Sequence, residues 1–316
     1  MGVTPRRVVL TGATGFIGSH VAALLLRDPA WQVRVVGRRA PAELIAAGAE
    51  WVEADLSAPD SLRGVCRDAD ALLHLASLIS GDHDACTAVN VHGTARLMAE
   101  AVHSGVTRVT HLSTAAVYGH GPHRGTDVGD VEPAPVSPTS ATRLAGERPA
   151  LDAGAVVLRP GLVLGAGDRW VVPAVAELRR RVPARWASGA ALLSVVPVVD
   201  LARLIVATLS TARPLGPSVH HASHPRPVRL HRLLDTLEEH AVLPPVPDRD
   251  WTWPQCVAAL DASGSRLSAR QFSLLAQDNW FTSERVWALA GVDCGEDALA
   301  ALPSWAPWYR EHCGTA

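Results

Sequence analysis

Three glycines at three-residue intervals, Gly12, Gly15 and Gly18 in Thr11-Gly-Ala-Thr-Gly-Phe-Ile-Gly18, are the spacing in this chain that most directly implies chemistry. Gly12 and Gly15 let a backbone bend sharply and approach a pyrophosphate, and Gly18 lets the next helix lie close to a sheet. A helix starting here aims unpaired N–H groups at the phosphates. Alone the pattern is weak; between a strand and a helix of a βαβ unit it is strong. About 20 residues further on, an NAD site places Asp or Glu to accept from the ribose hydroxyls. This chain reads Val36-Gly37-Arg38-Arg39. Two guanidiniums suit a 2′-phosphate through charge-assisted, bidentate contacts, so Arg38 and Arg39 predict NADP, bound as NADPH for reduction. The plainer alternative is a solvated arginine pair in a chain whose 29 basic residues are all arginine.

Such a turn needs a parallel sheet behind it, and the first half of the chain has the rhythm of one. Apolar runs predict strands at 7–11, 32–36, 50–53, 71–75, 108–112 and 155–159. Helical patterns fall between them, notably 16–27, closed by Asp28-Pro29, and 88–103, with Val89, Leu97 and Val102 on one face. This alternation is that of an α/β fold, a Rossmann-type doubly wound parallel sheet. Past Gly165 the rhythm loosens: 171–181, 200–209 and 228–240 read as helices, 193–199 as extended, and 243–250 as a proline-stiffened link. The predicted organisation is a dinucleotide-binding domain over 1–163 with a return segment at 194–224, and a smaller C-terminal substrate lobe from 164–193 and 225–316. Eight of ten tryptophans lie in the second half, read first as packing of that lobe and second as an aromatic substrate wall.

Composition narrows the partners. A 316-residue chain with 48% hydrophobic and 19% charged residues is an ordinary globule. A net charge of −2 gives no reason to expect nucleic acid or an anionic membrane. No apolar run approaches the ~20 residues of a bilayer span. The first seven residues leave no room for a signal sequence before the first strand, so a cytoplasmic location is expected. Five dispersed cysteines (66, 86, 256, 294 and 313) read as free thiols. No metal is expected, and His220-His221-Ala-Ser-His224 reads as a strand with surface histidines. The expected partner is a small molecule, with monomer and homodimer both open.

With its further motifs the chain resembles, nearly end to end, the extended short-chain dehydrogenase/reductase family. The resemblance implies dinucleotide contacts from Gly12, Thr14, Gly15, Phe16, Ile17 and Gly18, and from Asp55 and Leu56 as an adenine-contacting pair. It adds Leu75, Ala76 and Ser77 from His74-Leu-Ala-Ser77, Asn90 from Val89-Asn-Val-His-Gly-Thr94, Ser113, and Pro160 and Val163 under the nicotinamide. Thr114, in Ser113-Thr-Ala-Ala-Val-Tyr-Gly119, takes the hydroxyl position that binds the carbonyl, and Pro197-Val-Val-Asp200 resembles the second-half signature.

The departure is at the family's Ser-Pro-Tyr-x-x-x-Lys-x-x-x-Glu. Here the segment is Ser137-Pro138-Thr139-Ser-Ala-Thr-Arg143-Leu-Ala-Gly-Glu147, so Thr139 stands at the tyrosine position and Arg143 at the lysine position. No lysine exists anywhere, and Tyr118 and Tyr309 are the only tyrosines. Arg143 can still supply a fixed cation and bind the nicotinamide ribose. An aliphatic hydroxyl is too weak an acid to replace a phenol of pKa about 10. A positioned acid is worth about 10²–10⁴-fold in rate. Hydride transfer survives that loss where the ketone arrives polarised by its own neighbouring hydroxyl, as in hydroxylated aromatic polyketides. The proton then comes from Tyr118, which could equally be a packing wall, from His120 or His123 in the Gly-rich loop 119–125, or from water. The catalytic candidates are Thr114, Tyr118 and His120. The expected activity is reduction of an aromatic polyketide-type ketone with NADPH. The alternative is a non-catalytic NADP-binding regulatory protein, which a lost proton donor would also suit. A tightly held nicotinamide, as in nucleotide-sugar epimerases and dehydratases, ranks last because those enzymes generally rely on the missing tyrosine.

Overall fold

A computed structural model describes residues 5–246, 249–265 and 267–313; residues 1–4, on which the absence of a signal sequence was argued, and 247–248 of the proline link lie outside the described residues. Seven strands form the main sheet: β1 (Arg6–Thr11), β2 (Trp31–Gly37), β3 (Glu50–Glu53), β4 (Ala71–His74), β5 (Arg108–Leu112), β6 (Val156–Arg159) and β7 (Ser218–His221). All pair in parallel, in the order 3-2-1-4-5-6-7. A parallel sheet needs cover on both faces, which is why its strands read as unbroken apolar runs. Alternation along each strand divides the side chains between two cores. Val8, Leu10 and Leu73 pack with the helices Phe16–Arg27 and Val198–Ala207 on one face. Val9, Leu72 and Val157 pack with Leu97, Met98 and Ala150 on the other. The strand order reverses between β1 and β4, so Thr11 and His74 sit side by side at the carboxyl ends, where ligands of such sheets bind.

A third core fills the C-terminal part, where Trp186, Phe272, Tyr309 and Leu230 are fully buried. Trp305 joins it, Trp251, Trp253 and Trp308 pack against it, and Trp287 joins the core of the first sheet face. Most of the tryptophans therefore pack, while Trp170 is 60% exposed.

Five local features differ from the sequence reading. The helix expected at 88–103 begins at His83 and contains a π-helical segment, Ala88–Gly93; such segments interrupt α-helices frequently at functional sites. Part of the presumed Gly-rich loop, His123–Thr126, is a strand paired with Asn279–Phe281, a partner too distant in sequence for local signals to reveal. Val228–Arg229 is likewise a short strand, so the next helix starts at Leu230, and the helix expected from Asp200 starts at Val198. The histidines expected on the surface are buried: His220, His221 and His224 are 6%, 2% and 2% exposed. Residues 281–287 cover the end of β7, with the Trp287 indole donating to the Ser223 carbonyl at 2.8 Å. Among the described residues no helix is long and apolar enough to cross a membrane, and no group of three or more His, Cys, Asp or Glu is placed to hold a metal ion.

Candidate active site

The glycine turn leaves β1 with Gly12 at φ +75°, a conformation that side chains resist. A Cβ there would stand 2.7 Å from the Ala76 nitrogen, and one on Gly18 would stand 2.0 Å from the Gly12 oxygen. Both positions are therefore closed to any side chain. Gly15 caps the helix Phe16–Arg27 without a side-chain hydrogen bond, and the first turn carries no acid. Its opening N–H groups are left for an anion, and the helix dipole favours one. Thr14 and Gly15 are exposed, Phe16 and Ile17 partly so. The cradle fits a dinucleotide pyrophosphate.

Around it, Arg38 and Arg39 are exposed just beyond β2. Asp55 is half-buried. Burial raises its pKa, but the Ser57 amide and hydroxyl, each 2.8 Å from Oδ1, and the Arg38 charge outweigh this and hold the carboxyl below its ordinary value. Leu56 packs under Gly93, where a Cβ would meet its carbonyl oxygen at 2.5 Å. Leu75, Ala76 and Ser77 follow β4, and the Ala76 amide donates to Thr11 Oγ1 at 3.3 Å. Asn90, on the π segment, is fully committed. Its Oδ1 accepts from the Leu78 amide at 2.7 Å, and its Nδ2 donates to the Leu78 carbonyl at 2.9 Å and to Thr142 Oγ1 at 3.0 Å. It therefore holds the 75–79 loop rather than reaching outward.

The helix Pro138–Asp152 starts at a capping box between Ser137 and Ser140. Thr139, Arg143 and Glu147 recur every four residues and so share one face. That face stitches together the ends of three strands. The Thr139 hydroxyl donates to the Ile79 carbonyl at 3.3 Å, beyond β4. Nη2 of Arg143 donates to the carbonyls of Leu112 and Ser113 at 3.0 and 2.6 Å, at the end of β5. Glu147 accepts a short hydrogen bond from the Ser113 hydroxyl and receives Arg159, from β6, through two parallel bonds of 2.9 and 2.6 Å. Thr114 follows Ser113 directly. Its Oγ1 accepts from the Ala116 amide at 3.2 Å, which leaves its own proton to donate. Behind it the Ala115 amide donates to the Pro160 carbonyl at 2.8 Å, and Val163 is buried on the strand Leu162–Leu164.

Tyr118 is 2% exposed. Arg159 Nη1 donates to its hydroxyl at 2.7 Å, and the hydroxyl lies 2.8 Å from Nε2 of His221. His221 Nδ1 is 3.1 Å from the Thr282 carbonyl, which can only accept. Nδ1 therefore carries the imidazole proton, and Nε2 accepts from the tyrosine. Burial pushes the Tyr118 phenol above its ordinary value, only partly offset by Arg159, and pulls His221 down to about 4. His120 is exposed beside the turn. His123 is buried against Tyr118 and Phe281 rather than placed on a loop, and burial lowers its pKa. The sequence reading missed Arg159 and His221 as partners of Tyr118. A charged residue ending the apolar run Val156–Arg159 was the one available signal.

The chain matches the family described as the NAD dependent epimerase/dehydratase family over residues 8–219 and belongs to it, as an NAD(P)-dependent oxidoreductase of the extended short-chain type. It is similar to the 4-hydroxy-2-methyl-3-oxo-4-farnesyl-3,4-dihydroquinoline-1-oxide ketoreductase of Stigmatella aurantiaca, 28% identical over 246 residues, 74% of this chain and 72% of that protein. It is also similar to the dTDP-6-deoxy-L-talose 4-dehydrogenase (NAD(P)(+)) of Kitasatospora kifunensis, 32% identical, covering 79% of this chain and 85% of that protein. Two further curated relatives are matched over only about half of their length. Among solved structures, MoeE5 in complex with UDP-glucose and NAD superposes with a TM-score of 0.72 at 25% identity, over 96% of this chain and 99% of that one.

Proposed function

We propose that this chain is an NADPH-dependent ketoreductase that reduces a ketone on a large aromatic, polyketide-type molecule in the cytoplasm, without a tyrosine acid. The observation that carries this reading is Thr139: it occupies the tyrosine position and commits its hydroxyl to the Ile79 carbonyl. The same absence of the Tyr/Lys couple is similar to the atypical ketoreductase of the simocyclinone pathway, which acts on an angucyclinone. The Stigmatella relative supports the substrate class, since its named substrate carries a 3-oxo group beside a 4-hydroxy group on a fused ring.

A bound reduced nicotinamide would supply the hydride. Gly12, Thr14, Gly15, Phe16, Ile17 and Gly18 would hold its pyrophosphate, Asp55 and Leu56 the adenine, and Arg38 and Arg39 the 2′-phosphate. Leu75, Ala76, Ser77, Ser113, Pro160 and Val163 would line the nicotinamide side, and Arg143 would hold the ribose. Thr114 donates to the ketone oxygen. Tyr118 is a positioning residue, because its proton already points to His221. Asn90 acts one step back, fixing the 75–79 loop. The substrate's neighbouring hydroxyl provides the proton at close range and water restores it, with exposed His120 as the protein's competing donor.

The test is NADPH consumption with 8-hydroxy-1-tetralone and with 1-tetralone. The hydroxylated ketone should react with a kcat/KM at least about 10²-fold higher, the value of a positioned acid. Equal values would remove substrate assistance. Tight NADPH binding with no turnover of any ketone would favour the regulatory alternative instead.

A further inference from the structure

Arg143 has more donors than its visible anchoring uses. One nitrogen, Nη2, holds both the Leu112 and the Ser113 carbonyl. Nε and Nη1 make no hydrogen bond among the described residues, and the side chain is only partly buried. The anchoring carbonyl of Ser113 belongs to the residue before Thr114, whose hydroxyl proton is also free. The Arg143 guanidinium is therefore anchored on the residue that precedes Thr114, at the end of β5. The Nη2 anchor removes the rotational freedom that would make a long arginine an imprecise donor. Burial draws the Arg143 guanidinium down to about 10, against the opposing pull of Glu147, so it stays charged throughout the neutral range.

We infer that Arg143 and Thr114 together form a two-donor oxyanion clamp that takes over the polarising part of the absent phenol's work, Arg143 as a catalytic residue and not only a ribose ligand. This rests on the ketoreductase reading above. The ketone carbon receives the hydride and the C=O electron pair moves onto oxygen. The resulting alkoxide is held by the guanidinium and the threonine hydroxyl. It takes the proton of the substrate's neighbouring hydroxyl, which water then reprotonates, leaving hydroxide to the buffer. Fixed donors aimed at a developing oxyanion act without reorganisation, and removing one costs about 10²–10³-fold in kcat.

The experiment compares wild type, Arg143→Gln and Arg143→Lys, with NADPH affinity from nicotinamide fluorescence and kcat with 8-hydroxy-1-tetralone. The clamp predicts that at saturating NADPH kcat falls about 10²-fold in Arg143→Gln and partly recovers in Arg143→Lys, beyond whatever rise in NADPH Kd the lost ribose contact brings. A raised Kd with kcat unchanged would mean ribose holding alone and overturns the inference while leaving the ketoreductase reading intact. Wild type that binds NADPH but reduces no ketone removes both. Should Arg143→Gln not fold, wild type alone decides through a non-turnover readout. 2-Naphthol bound with NADP should ionise at least one pH unit below its free value, followed by absorbance, and an unshifted ionisation overturns the clamp.

Discussion

Replacing Tyr118 with phenylalanine separates a phenol that holds the fold from one that donates a proton. Removing the hydroxyl strands two buried partners, the Nη1 donor of Arg159 and the Nε2 acceptor of His221. Each unsatisfied group costs about 1–3 kcal/mol. Arg159 keeps its bidentate pair with Glu147, so its charge is never left alone and the lower half of that range applies to it. The expected destabilisation is about 3 kcal/mol, which for a chain of this size moves the melting temperature by roughly 4–5 °C. Urea unfolding followed by circular dichroism measures the first number and a thermal scan the second. In the same preparation, below the melting transition, kcat should fall less than tenfold. The loss of a general acid would lower it by about 10²–10⁴-fold. A variant as stable as wild type but a thousandfold slower would refute the positioning role, and with it the direction of the proton between Tyr118 and His221.

Four other outcomes are expected. Arg38→Ala with Arg39→Ala should raise the KM for NADPH at least tenfold more than the KM for NADH, measured by initial rates with each nucleotide. Thr139→Val should lower kcat less than tenfold, because the hydroxyl only ties the helix to Ile79; a thousandfold drop would make Thr139 the acid after all. Gly18→Ala places a Cβ 2.0 Å from the Gly12 oxygen, so the variant should lose dinucleotide binding by calorimetry or fail to fold. Stability should fall on acidification. Burial holds His74 and His221 down at about 4 and His111 well below the ordinary value of 6.5, so the unfolded chain binds more protons than the folded one between those limits. Each histidine then contributes a slope of up to about 1.4 kcal/mol per pH unit, with stability fully present above pH 6.5 and lost as the pH drops toward 4. Urea midpoints at successive pH values measure it.

The sheet was legible because its strands are covered on both faces, so each announces itself as an apolar run, and because the glycine turn fixes which run comes first. The four-residue spacing of Thr139, Arg143 and Glu147 likewise put them on one helix face, which is where the structure has them. What stayed hidden depends on pairings across long stretches of chain. His221 meets Tyr118 across 103 residues, and nothing around His220-His221 marks them as covered by the segment that carries Trp287. His123 looked like part of a loop because a glycine-rich stretch becomes a strand only when Asn279–Phe281 lies beside it. The π segment escaped notice because its hydrogen bonding changes while its apolar spacing does not.

The row Arg159, Tyr118, His221, Thr282 has a polarity of its own. Each member gives to the next and the last is a carbonyl, so the dipoles line up and the row ends in a sink. Sending a proton back up that row would require a doubly protonated imidazole at a position where burial disfavours one until the pH falls to about 4. The Tyr118 phenol thus has its proton turned toward a carbonyl sink, and on the reading proposed above the product alcohol draws its proton from the substrate's own hydroxyl, with solvent behind it.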